Sequence, residues 1–96
     1  MHYISMGKWT EKGIQSVRDA PRRVDGVKKM AQKLGGSLQV YFTMGEYDIV
    51  SIVEMPNDEA YNKFVLWLES QGNVRTRSTK AWTSDEAAKM LADLPQ

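Results

Sequence analysis

Ninety-six residues, 42% hydrophobic and 26% charged, are the length and composition of one soluble globular domain with a modest core. Thirteen basic residues against twelve acidic leave a net charge of +1, which excludes the strong field expected of a nucleic-acid or membrane-surface binder. Cysteine is absent, so disulfides, thiolate metal sites and cysteine nucleophiles are excluded together, and a reducing compartment is favoured.

The first nine residues lack the apolar core of a signal peptide, and no run approaches eighteen apolar residues, so a cytoplasmic protein is expected. Residues 2–9 read as a strand, with Ile4 and Met6 on one face and Tyr3, Ser5 and Gly7 on the other. Thr10 is a natural helix cap, with Glu11 in the favoured first turn. A short helix is predicted over 11–18 and a firmer one from about Pro21. Val24, Val27, Met30, Ala31 and Leu34 form the inward stripe of the second helix, and Gly35-Gly36 supplies its stop.

Two apolar runs follow, at 38–42 and 47–53, joined as a hairpin through Thr43-Met44-Gly45-Glu46-Tyr47-Asp48. Gly45 supplies the positive φ that a tight reversal needs. After Pro56, Asn57 or Asp58 caps a helix with Ala60, Phe64, Trp67 and Leu68 inward, ended by Gly72. Residues 74–82 make the fourth strand. Thr83-Ser84-Asp85-Glu86 is a capping box opening a last helix, with Ala87, Met90, Leu91 and Leu94 inward.

This order, β-α-β-β-α-β plus a terminal helix, predicts an α+β, ferredoxin-like fold with a four-stranded antiparallel sheet. Ile49 and Val53 fall on one face of the third strand, Val50 and Ile52 on the other. Helices cover only one face of such a sheet, so a second layer is needed, and a second copy of the chain is its economical source. A homodimer or larger homo-oligomer is therefore expected.

Several spaced motifs carry a resemblance. Trp9-Thr10-Glu11-x-Gly13-Ile14, Gly35-Gly36, Thr43-Met44-Gly45-x-Tyr47-Asp48-Ile49-Val50 and Gly72-Asn73-Val74-Arg75-Thr76 look like the GYD-domain family, over nearly the whole chain. The family's Gly-Tyr-Asp label is spelled here with an inserted Glu46. The resemblance implies a dimeric α/β-barrel type of ferredoxin-like fold and no settled activity.

The chemistry in view is sparse. Asp48 beside an apolar strand can act as a general base, with Tyr47 orienting an oxygen; the favoured reading is that Asp48 fixes the hairpin by accepting hydrogen bonds. Arg75 and Arg77 share a strand face and can hold a carboxylate or phosphate, or pair with Glu54 or Asp48. Lys80 has the opposite parity. Trp9, Tyr41, Trp67 and Trp82 can line an apolar pocket, although Trp67 sits on a helical stripe.

His2 is the lone histidine and cannot build a multi-histidine metal site, and Asn57-Asp58-Glu59 reads as a helix start. No glycine-rich phosphate loop or hydrolase elbow is present, so neither cofactor nor metal is expected. The RNA-recognition order is shared, but the third strand lacks the required basic, aromatic pattern.

The reading is a small organic molecule bound at the sheet, with Trp9, Tyr41, Tyr47, Asp48 and Arg75 as its lining. The alternatives are a cofactor-free enzyme resembling dimeric α/β-barrel monooxygenases or isomerases, in which Asp48 and Tyr47 act, and a structural assembly module.

Overall fold

The computed structural model describes all 96 residues. The elements run β1 (His2–Trp9), α1 (Glu11–Gln15), a 3-10 turn (Val17–Asp19), α2 (Ala20–Lys33), β2 (Ser37–Phe42), β3 (Ile49–Glu54), α3 (Asp58–Ser70), β4 (Val74–Ala81) and α4 (Ser84–Ala92). The four strands form one antiparallel sheet in the order β2-β3-β1-β4. This is the expected α+β, ferredoxin-like arrangement. No helix is long and apolar enough to cross a membrane.

Three of the four α-helices begin where a side chain captures an orphan backbone N–H, while α2 starts without such a cap. Thr10 accepts from Gly13 N, Asn57 from Ala60 N, and Thr83 from Glu86 N within a complete capping box. The first helical stretch is shorter than expected. It breaks after Gln15 into the 3-10 turn, and α2 then starts at Ala20, placing Pro21 in its first turn.

Register decides which side of each strand meets the helices. Tyr3, Ser5 and Gly7 of β1 stand opposite Val53, Ser51 and Ile49 of β3, and these in turn neighbour Leu38, Val40 and Phe42 of β2. That face receives α2 and α3. Its core is Tyr3, Val53, Met55, Ala31, Tyr61 and Phe64. Tyr61 was absent from the predicted stripe of α3; it is buried because its ring stacks on Tyr3 with centroids 4.0 Å apart. The Tyr3 hydroxyl donates to Asp58, which Lys80 approaches at 3.0 Å, so α3 is tied to the sheet at its first residue. Burial, aided by Asp58, pushes the Tyr3 hydroxyl up to about 12. Tyr3 is only 4% exposed and offers no surface for stacking a base.

The other face carries Ile4 and Met6 of β1, Val50 and Ile52 of β3, and Tyr41 of β2. No helix of the chain covers it: Ile52 is 41% and Tyr41 52% exposed.

Strand boundaries and one packing expectation also need correction. β3 begins at Ile49 rather than 47, and β4 ends at Ala81 rather than 82. Tyr47 and Asp48 belong to the hairpin loop because Thr43 N donates to Asp48 O, and Thr43 Oγ1 to Tyr47 O, closing the reversal there. Gly45 has the expected positive φ, +117°. The larger difference is α4, which buries nothing. Met90, Leu91 and Leu94, expected inward, are 48–62% exposed. α2 and α3 occupy the helix-covered face, and α4 buries no side chain against either face of the sheet.

Candidate functional site

The chief cavity lies between α2, α3 and the helix-covered face of the sheet, with a volume of about 260 Å³. Its floor is set by small side chains on the inward strand positions. Ser5 and Ser51 are cross-strand partners on β1 and β3, and neither reaches far into the space between sheet and helices. Eleven of the eighteen lining residues are hydrophobic, among them Trp9, Phe64 and Trp67. From α2 come Arg23, Val24, Gly26 and Val27. A side chain at Gly26 would meet nothing within 4 Å, so helix packing does not demand glycine there.

Arg23 is the one ionisable group in the wall. Its guanidinium donates to Ser16 O at 2.8 Å and to Ser16 Oγ at 3.0 Å, and it lies 5.9 Å from the Trp9 ring centre. These contacts fix the arginine as a bracket between α2 and the 3-10 turn, with Trp9 held beneath it. Phe42 meets Trp9 edge-on, at 6.1 Å between ring centres. The cavity can therefore enclose an apolar or aromatic group and offer hydroxyl and amide contacts from Ser5, Ser51, Gln71 and Asn73.

The five residues expected to line one site separate. Trp9 lines the cavity. Tyr47 and Arg75 line a second depression, of about 240 Å³, which Met6, Lys8 and Arg77 open onto the helix-free face. Tyr41 stands on that same face, farther along, opposite Val50. Asp48 lines neither space. Its carboxylate accepts from Trp9 N at 2.9 Å, and its own N–H donates to Gly7 O, prolonging the β1–β3 pairing past the last strand residue. Asp48 is thus a backbone clamp whose carboxylate is engaged outside the cavity.

Removing that clamp should be costly. Asp48→Ala leaves a partly buried N–H at Trp9 without its acceptor, and a loss of about 1–3 kcal/mol is expected. Urea denaturation measures the loss. An unchanged stability would show that water replaces the carboxylate.

Residues 3–91 match the sequence profile of the GYD domain. The chain belongs to the GYD domain family. The match spans the sheet, α1 to α3 and most of α4, so the cavity and both sheet faces of this GYD domain lie inside the shared region. No curated protein matches the chain.

Arg23, Ser5, Ser51 and Gly26 were missed from sequence. Gly26 carried the one usable signal, since a glycine inside a well-formed amphipathic helix costs about 1 kcal/mol relative to alanine and invites another explanation.

Proposed function

We propose that this GYD domain binds a small, largely apolar organic molecule in the cavity between α2, α3 and the sheet, as a cytoplasmic homodimer or larger homo-oligomer. The observation that carries the reading is the cavity itself. A space of about 260 Å³ walled by Trp9, Phe64, Trp67 and aliphatic side chains lies just below the roughly 300–1,000 Å³ usual for small-molecule sites. A one- or two-ring compound suits it. Arg23, the one ionisable wall residue, is engaged with Ser16, which favours retention of a ligand over acid–base chemistry. The cysteine-free composition supports a reducing compartment.

Native mass spectrometry of protein taken from its own host should reveal a retained small molecule. Val40→Phe, which adds bulk to the cavity's sheet wall, should abolish that retention while leaving the fold intact by circular dichroism. Equal retention by the filled variant would sink the reading.

Assembly rests on two uncovered apolar surfaces: the helix-free sheet face, and Met90 and Leu91 of α4 with Leu94 just past its end. A sheet-to-sheet pair burying about 800 Å² or more per partner would cover the first. Light scattering should give at least the dimer mass, and Ile52→Asp should convert it to monomer, because a carboxylate buried without a partner is prohibitively costly. A wild-type monomer at high micromolar concentration overturns the assembly.

A further inference from the structure

The depression on the helix-free face is chemically unlike the cavity. Lys8 and Arg75 are direct cross-strand partners of β1 and β4, and Arg77 follows two residues along, opposite Met6. All three line one hollow of about 240 Å³ with Tyr47 and Glu46. Like charges placed directly opposite on a sheet repel, so this arrangement costs stability unless something neutralises it.

Glu46 lines the hollow without an ion pair to any of the three, and no other carboxylate of the chain pairs with them. Glu54, one partner suggested by sequence, sits at the far end of β3 beside His2. Asp48, the other, has its carboxylate on Trp9 N. The ion pairs of the chain involve His2, Arg22 and Lys80, and none of the three cations of the hollow. Lys8 leans over the Tyr47 ring at 5.5 Å. Arg75 makes only long contacts, 3.4 Å each, to the carbonyls of Glu69 and Val74.

We propose that this hollow is an anion site for the phosphate group of a small soluble molecule. Arg75 and Arg77 supply planar donor forks and Lys8 a point charge. Two guanidiniums and one ammonium against the single carboxylate of Glu46 leave a surplus of two positive charges, matching a phosphate monoester dianion. The site is concave and local, on a chain of net charge +1, which suits a compact anion and not an extended polyanion. It lies at the end of the sheet face, next to the apolar patch of Ile4, Val50 and Ile52, and it is independent of the cavity and its ligand.

The test uses the full chain, titrated at low ionic strength with inorganic phosphate and followed by amide chemical shifts, with sodium chloride at matched ionic strength as control. Saturable shifts at Lys8, Thr76 and Arg77 are expected. Arg75→Gln and Arg77→Gln should each weaken binding about tenfold or more at unchanged melting temperature, whereas Lys63→Gln should leave it unaltered. Non-saturating shifts, or shifts spread over the other lysines, mean an adventitious ion only and overturn the proposal. So does loss of oligomer mass in Arg75→Gln and Arg77→Gln with phosphate affinity unchanged, which would assign the cations to a partner's carboxylates. Sedimentation with phosphatidate vesicles alongside no binding of free phosphate would assign the hollow to a lipid headgroup, and overturns the soluble ligand.

Discussion

Phe64→Ala should cost this domain about 3–5 kcal/mol, a large part of the roughly 5–15 kcal/mol that stabilises a typical fold. Phe64 is 1% exposed and belongs to the cluster with Tyr3, Val53, Met55 and Tyr61. It also forms part of the cavity wall. Truncation therefore removes buried apolar surface and extends an existing space that α2 and α3 leave unfilled, so little collapse can offset the loss. Urea denaturation of both proteins, at equal m-value, measures the effect. A loss below about 1 kcal/mol would mean that the helices close over the cavity, and that the space is soft.

Gly13→Ala comes second, with an expected loss of about 2–3 kcal/mol. Gly13 is buried in α1, where a Cβ would stand 1.9 Å from the carbonyl oxygen of Asn73. That carbonyl cannot step aside freely, since it accepts from Thr10 N at 3.1 Å. The same turn is bolted twice more: Thr10 Oγ1 donates to Gly72 O and accepts from Gly13 N. An added methyl must lever α1 away from the start of β4 and break these bonds together. Helix propensity works in the opposite direction, favouring alanine by about 1 kcal/mol, which makes the sign of the change informative. A more stable variant would show that α1 yields without loss. Thermal unfolding followed by Trp9 fluorescence, with Trp67 and Trp82 replaced by phenylalanine, would report the junction.

The fold was legible because its signals are local. Thr10, Asn57 and Thr83 each announce a helix by a side chain that reaches only three residues ahead, and the alternation in β1 and β3 names the two sheet faces directly. Boundaries slipped where a nonlocal bond decided them, as at Tyr47 and Asp48, whose backbone closes on Thr43. The inward reading of α4 failed for a related reason. Periodicity reveals that Met90, Leu91 and Leu94 share a side, and says nothing about whether that side docks on its own chain.

The cavity was illegible in a deeper sense. Ser5, Ser51 and Gly26 define it by being small on three separate elements, and no spacing in the chain links them. Aromatic residues drew attention instead, and Trp9 was the one of the five expected lining residues found in that wall. Arg75 and Arg77 shared a face as parity required. Their convergence with Lys8 depended on the β1–β4 register, which no single segment encodes.

The strand order also leaves the two borders of the sheet unequally defended. β4 runs along one border with Arg75, Arg77 and Lys80, charges that discourage another chain from adding itself there. β2 runs along the other and reads Ser-Leu-Gln-Val-Tyr-Phe, with neither charge nor proline, and with Tyr41 and Phe42 each about half exposed. Its outward N–H and C=O groups form an open template for strand addition. Growth by such addition has one available direction, so overheated or overconcentrated protein should aggregate from β2, and a lysine placed at Gln39 would be the smallest change that guards it.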